Sequence, residues 1–123
     1  MPVVRDAQTL GVGALAAEIE RLATAARART LAPDACGGST FTISNNGSFG
    51  SLITAAVINP PNVAVVSLDA VEERPVVIDH MIAIRRRMYC CMTWDHRAFD
   101  GSTAAKFLAH LKRTVETSDW TAR

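Results

Sequence analysis

Apolar positions along this chain switch from helical spacing to strand spacing and back. Val12, Leu15, Ile19, Leu22 and Ala26 recur at steps of three and four, which is the single stripe of an amphipathic helix. Glu18, Glu20, Arg21 and Arg27 fall mostly off that stripe. The predicted helix covers residues 9–29, with Thr9 or Asp6 as its cap and Pro33 as its stop. Gly11 and Gly13 weaken its first turn, and Arg27 and Arg29 suit its negative end. A β-rich region over 39–95 follows. Ser39 to Asn45 alternates and ends in the turn signal Asn45-Asn46-Gly47. Val63 to Leu68 is nearly all apolar, as in a strand buried on both faces. Val76-Val77-Ile78 and Met81-Ile82-Ala83-Ile84 flank Asp79-His80 as hairpin arms. Met88 to Trp94 reads as another buried strand. A second helix is predicted over 101–117, with Ala104, Phe107, Leu108, Leu111 and Val115 on one face.

Length and charge narrow the possibilities. At 123 residues the chain is one domain at most. Thirteen basic residues against twelve acidic ones leave no surface suited to nucleic acid or to a polybasic membrane anchor. No apolar run approaches the length of a bilayer span, and Met1 to Asp6 lacks the order of a signal peptide. Cys36, Cys90 and Cys91 are odd in number, and neighbours on a strand point to opposite faces. Neither a disulfide framework nor a metal site is expected, and the cytosol is the default compartment.

Candidate chemistry gathers at Asp95-His96-Arg97-Ala98-Phe99-Asp100-Gly101, between a strand and a helix. His96 there is placed as a general base is: the strand fixes the ring, the loop admits substrate, and neighbours choose the tautomer. Read bare, the same stretch is a surface histidine beside a common Asp-Gly turn. Asp100 has a structural role as the cap of the following helix. Arg85, Arg86 and Arg87 have two readings, as contacts for phosphate oxygens or as the wet end of an edge strand. Arg27 and Arg29 divide the same way, between a phosphate contact and a solvated helix end. His80 reads as a solvated turn residue and His110 as an exposed helix residue.

The Asp95–Gly101 stretch resembles the His-x-x-x-Asp-Gly signature of the CoA-dependent acyltransferases. In its Asp-His-Arg-x-x-Asp-Gly form it is similar to the catalytic domain of the dihydrolipoamide acyltransferases of 2-oxoacid dehydrogenase complexes. Three further blocks resemble that family in order: Thr40-Phe41-Thr42-Ile43-Ser44-Asn45 with the Gly47-Ser48-Phe49-Gly50 loop, Ile58-Asn59-Pro60-Pro61, and the charged link Glu72-Glu73-Arg74-Pro75 before a hairpin. Together they span about residues 39 to 110.

The resemblance implies an α/β fold: a mixed β-sheet of about five strands packed by helices, like chloramphenicol acetyltransferase. It implies transfer of an acyl group, expected to be acetyl, between CoA or another thioester and a thiol or hydroxyl acceptor, by direct attack. His96 would be the base, Ser44 the donor to the oxyanion, and Asp100 a catalytic or supporting carboxylate. Arg97, Gly101 and Asn45 would support the loops. Without the family, Ser44 is an ordinary strand residue. CoA or acetyl-CoA is a substrate in this reading, with no metal and no lipoyl attachment in the chain. In the family the site lies between neighbouring subunits of a trimer.

The chain also departs from the pattern. A whole catalytic domain of this family is about twice as long, and Met1 stands where its middle is expected. The resemblance therefore covers the C-terminal half, as a truncation or as one chain of a split enzyme. The expected partners are further copies in a homotrimer or a chain carrying the N-terminal half, with an acyl carrier protein or lipoyl domain as visitor. The ending Thr117-Ser118-Asp119-Trp120-Thr121-Ala122-Arg123 lacks the leucine-rich segment that joins trimers into large cores. It is similar instead to stand-alone acetyltransferases of natural-product pathways, such as tetronate biosynthesis, which act on a carrier-bound hydroxyl. The competing reading is a non-catalytic trimerising scaffold fragment.

Overall fold

The computed structural model describes residues 1–120; Thr121, Ala122 and Arg123 of the terminal segment lie outside the described residues. The chain divides into two compact units, Met1–Thr40 together with the segment from His110 on, and Phe41–Ala109.

The first unit is built on helix α1, Val12–Arg27. It is shorter than the predicted 9–29 at both ends, for local reasons. Thr9 does not cap it. Thr9 closes a 3-10 turn, Ala7–Thr9, and its hydroxyl donates to the Asp6 carbonyl at 2.8 Å. Gly11, in an extended conformation, takes the cap position without a side-chain bond. Nor does Pro33 end the helix. Thr30 N–H donates to Ala25 O and Arg29 N–H to Ala26 O, with Arg29 at φ 57°. That is the paired closure of a Schellman motif, with arginine where glycine is usual. Pro33 instead opens a 3-10 turn, Pro33–Cys36. The N-terminus is tied to this turn by Val3 N–H to Ala35 O at 2.8 Å and by Arg5 to the Asp34 and Gly37 carbonyls. On α1 only Leu22 is buried. The basic end is solvated: Arg27 meets Glu20 and Thr24 on its own helix, and both charges of the ion pair are largely exposed.

The second unit holds five strands and the start of the second helix. They are β1 (Thr42–Asn45), β2 (Ala64–Leu68), β3 (Glu72–Ile78), β4 (Met81–Arg87), β5 (Cys90–Trp94) and α2 (Gly101–Thr117). The α/β class with a mixed sheet holds, but the strands do not form one sheet. Three make a sheet in the order β1-β2-β5, and β3-β4 stand as a separate hairpin. β2 runs parallel to β1, with Ser44 opposite Ser67, and antiparallel to β5, with Ala64 opposite Trp94. As its apolar run predicts, β2 is the interior strand; Ala64, Val65, Val66 and Ser67 are all buried. The alternation in β1 buries Thr42 and leaves Ile43 exposed.

The hairpin turns at Asp79-His80, both with positive φ, which is the geometry of a two-residue type I′ connection. Glu72-Glu73-Arg74-Pro75 is not a link, as expected, but the first half of β3. Across the ladder Glu72 faces Arg87, Glu73 faces Arg86 and Arg74 faces Arg85. The opposed charges at two of these three pairs favour the ladder.

Candidate active site

The Asp95–Gly101 corner is built by bonds within the stretch itself. Asp95 N–H donates to Val63 O, continuing the sheet one residue beyond β5, and Ala98 N–H donates back to Asp95 O. The Asp95 carboxylate then receives Arg97 three ways: its backbone N–H at 2.9 Å, Nε at 3.0 Å and Nη2 at 2.7 Å. Hydrogen bonds from the Arg97 side chain, then from its backbone, hold the Asp95 carboxyl at a pKa of about 2, below its ordinary 3.8. Arg97 is thus tied back to Asp95 within the corner. Its outward position, 92% exposed, makes the pair a local clamp and not a strong contributor to stability.

At the far end Asp100 caps α2. Its Oδ1 accepts Thr103 N–H at 2.9 Å, its carbonyl accepts Ala104 N–H, and the Ser102 hydroxyl donates to the carboxylate. These bonds lower its pKa, the backbone bond from Thr103 first. Gly101 is less special than its place in the motif suggests. It lies within α2, and a Cβ there would meet nothing nearer than the Trp94 ring at 3.9 Å. The chain turns over 96–99 instead. Between the two locks His96 is exposed, available as a base to a group arriving from solvent.

Ser44 is half-buried on β1. Its Oγ accepts Asn46 Nδ2 at 3.4 Å, which leaves the hydroxyl proton to be donated elsewhere. Asn45 supports the following turn, its Oδ1 accepting Gly47 N–H at 3.0 Å. The loop beyond is stapled by a carboxylate that sequence reasoning missed. Asp69 is 3% exposed and accepts the Thr54 hydroxyl at 2.6 Å and Thr54 N–H at 3.3 Å. The Thr54 hydroxyl bond leads the causes that lower its pKa. Ser67 Oγ donates to Thr54 O at 2.8 Å, and Ser51 joins through the Thr54 hydroxyl. The partners are 13 to 15 residues apart, so no local pattern reveals them.

Ser44 and His96 are not brought together within one chain. Ser44 lies on one edge strand and His96 follows the other, with β2 between them. The register puts Ser44 level with Ser67 and Trp94 level with Ala64. Two strand spacings and three residues of rise separate them, on the order of 14 Å before the chain reaches His96. Arg85, Arg86 and Arg87 lie on the hairpin, exposed, two of them opposite glutamates. Arg85 Nη1 donates to Ile84 O. A groove of about 640 Å³ is lined by residues 3–35 and includes none of these side chains. Among the described residues no cluster of His, Cys, Asp and Glu is gathered as a metal requires.

Comparison with known proteins gives the same frame. Residues 1–121 match the model of the 2-oxoacid dehydrogenases acyltransferase (catalytic domain) family. The dihydrolipoyllysine-residue succinyltransferase component of the 2-oxoglutarate dehydrogenase complex of Bos taurus is 41% identical over 116 residues, 94% of this chain and 26% of that one. Its counterpart in Saccharomyces cerevisiae is 45% identical over 115 residues, 94% of this chain and 25% of that one. A probable dihydrolipoamide acetyltransferase from Listeria monocytogenes superposes with a TM-score of 0.89 at 40% identity, over 94% of this chain and 49% of its own. A dihydrolipoamide acetyltransferase from Azotobacter vinelandii, whose crystallographic and enzymatic study concerns a serine, a histidine and an asparagine in its catalytic mechanism, gives 0.91 at 32% identity, over 94% and 48%. The chain thus spans about a quarter of these curated relatives and about half of these structures, and it belongs to the family of 2-oxoacid dehydrogenase acyltransferase catalytic domains.

Proposed function

We propose that the protein is an acyltransferase that moves an acyl group between CoA and a thiol acceptor, with His96 as general base. The observation that carries this reading is the Asp95–Gly101 corner, locked at both ends with His96 exposed between the locks. The serine, histidine and asparagine studied in the Azotobacter vinelandii enzyme fall at the same intervals along their chain as Ser44, His96 and Asp100 do along this one. This supports the assignment of Ser44 and His96. Asp100 stands where that enzyme has asparagine, and its capping bonds are ones either residue makes.

In this mechanism neutral His96 takes the proton of the acceptor thiol. The thiolate attacks the thioester carbonyl, and the Ser44 hydroxyl donates to the oxyanion that forms. Collapse expels CoA as thiolate, which recovers the proton from His96, so the enzyme ends unchanged. Asp100 and the Arg97–Asp95 clamp hold the corner that carries the ring.

The working species in our reading is an oligomer in which one chain supplies His96 and another Ser44. Their positions at opposite edges of one sheet favour this. So do the large exposed apolar side chains, among them Ile43, Phe49, Ile53 and Val57, since a lone chain seldom leaves so much uncovered. Acetyl is the first acyl group to test. Succinyl is the second, because the curated relatives named above are succinyltransferases.

The deciding experiment measures solution mass and then turnover with acetyl-CoA and succinyl-CoA, using dihydrolipoamide as acceptor and a carrier-bound hydroxyl as comparison. His96→Ala is expected to remove most of the rate while leaving the circular dichroism spectrum intact. A variant that keeps substantial activity refutes the mechanism, and a folded, inactive wild-type oligomer would support the scaffold reading instead.

A further inference from the structure

The two locks of the corner leave one matter open, since neither hydrogen-bonds to the ring they are meant to serve. Arg97 is spent on Asp95, and Asp100 on Ser102 and Thr103. Trp94 is the side chain that meets the imidazole. It is the last residue of β5, half-buried, and paired with Ala64 in the sheet, so its backbone is fixed by the ladder. Its ring centroid lies 5.8 Å from that of His96, with planes inclined at 34°. Its indole N–H reaches across the turn to the Phe99 carbonyl at 3.1 Å. The Phe99 ring stacks beside it, at 6.3 Å and 16°.

The indole therefore reaches across the turn from β5 to Phe99. One end is held by the sheet and the other by the Phe99 carbonyl, with the imidazole beside it. We propose that Trp94 is the positioning residue of His96, the group that fixes where the base stands relative to the arriving acceptor. The inference rests on the acyl-transfer reading above. It adds to that reading a residue outside the Asp95–Gly101 motif, and a hydrogen bond that phenylalanine cannot make.

The geometry has a signature that does not need turnover. Protonated imidazole beside an indole quenches its fluorescence. Trp94 and Trp120 are the two tryptophans of the chain, so a Trp120→Phe background isolates Trp94. In the full chain, assembled as it purifies, Trp94 emission should therefore fall when the neighbouring imidazole takes up a proton on acidification. His96→Gln should abolish that dependence. The charged groups of the corner, Asp95, Arg97 and Asp100, remain in both proteins, and Asp95 and Asp100 titrate at lower pH.

Kinetics supply the second readout. Misplacement of a catalytic group by about 1 Å costs about a hundredfold. Trp94→Leu should therefore lower kcat about a hundredfold with KM little changed. Trp94→Phe, which keeps an aromatic ring and loses the N–H bond to Phe99, should recover only part of that loss. Emission that ignores pH, or that responds equally in His96→Gln, overturns the inference. So does a Trp94→Leu enzyme of wild-type kcat whose His96→Gln counterpart is dead. If His96→Gln itself keeps its rate, the acyl-transfer reading fails and takes this inference with it. A silent Trp94 in an enzyme that requires His96 removes the inference alone.

Discussion

Gly47 offers a test of how tightly the Ser44 turn is built. It follows Ser44-Asn45-Asn46 and opens the 3-10 turn Gly47–Phe49. A Cβ there would stand 2.9 Å from the Asp69 carbonyl oxygen and 3.3 Å from both the Asp69 carbonyl carbon and Asn45 Oδ1. Ordinary contact begins near 3.4 Å, so about 0.5 Å must come from somewhere. It cannot come from Asp69 without loss, because that residue is buried and its carboxylate is bound to Thr54. Gly47 does not have the positive φ found at Gly38 and Gly50, so the cost of Gly47→Ala is steric. Overpacking of this kind costs about 1–3 kcal/mol. The reduced freedom of the unfolded chain returns about 0.4–1 kcal/mol, and a net loss of about 1–2 kcal/mol is expected. With a urea slope of about 1–3 kcal/mol per molar, the midpoint falls by about 0.3–2 M. Gly13→Ala is the internal control. Gly13 lies within α1 with nothing within 4 Å of its would-be Cβ, so alanine should add about 1 kcal/mol of helix propensity and raise the midpoint. Urea melts of both variants beside wild type suffice. A Gly47→Ala protein as stable as wild type would refute the claim that Asp69 pins this turn.

Further expectations concern the site itself. Ser44→Ala should lower kcat about a hundredfold or more if its hydroxyl serves the oxyanion, with an unchanged melting temperature; an unchanged kcat would return Ser44 to the role of strand residue. Asp100→Asn should keep both the cap and the activity, whereas Asp100→Ala should fray the start of α2, seen as lost amide protection at Thr103; equal loss of kcat in both variants would mean the charge itself is required. The Asp95 carboxyl lies below its ordinary value in the folded protein, so the stabilisation from its bonds is complete above about pH 4 and is lost as the pH falls toward 2. Arg97→Ala should move its titration, followed by carboxyl carbon NMR, back up toward 3.8.

Much of the corner was legible because its bonds are local. A histidine two residues beyond a strand, an aspartate before a helix and an arginine two residues after an aspartate are all visible as spacing. The bond from Arg97 to Asp95 was not read from the sequence. The two-residue turn at Asp79-His80 and the buried run of β2 were legible for the same reason. What pairs with what was not. The charges and proline of Glu72 to Pro75 argue against a strand until the arginines of β4 are set opposite them. The separation of the hairpin from the three-stranded sheet depends on such long-range pairing, as does the Asp69–Thr54 staple. Thr9 is a good cap by type, yet its hydroxyl is taken by Asp6 O, so the helix begins at a glycine.

The hairpin has a bearing on how the protein should be handled. One of its faces carries Pro75 and Val77 opposite Ile84 and Ile82, and Val77, Ile82 and Ile84 are between 66% and 81% exposed. Two strands alone are marginal in water. The amide protons of Val76 to Ala83 should therefore exchange quickly in a solitary chain and slowly once that face is covered. Their deuterium uptake then measures the fraction of protein that has found its cover, in any preparation, before a substrate is known.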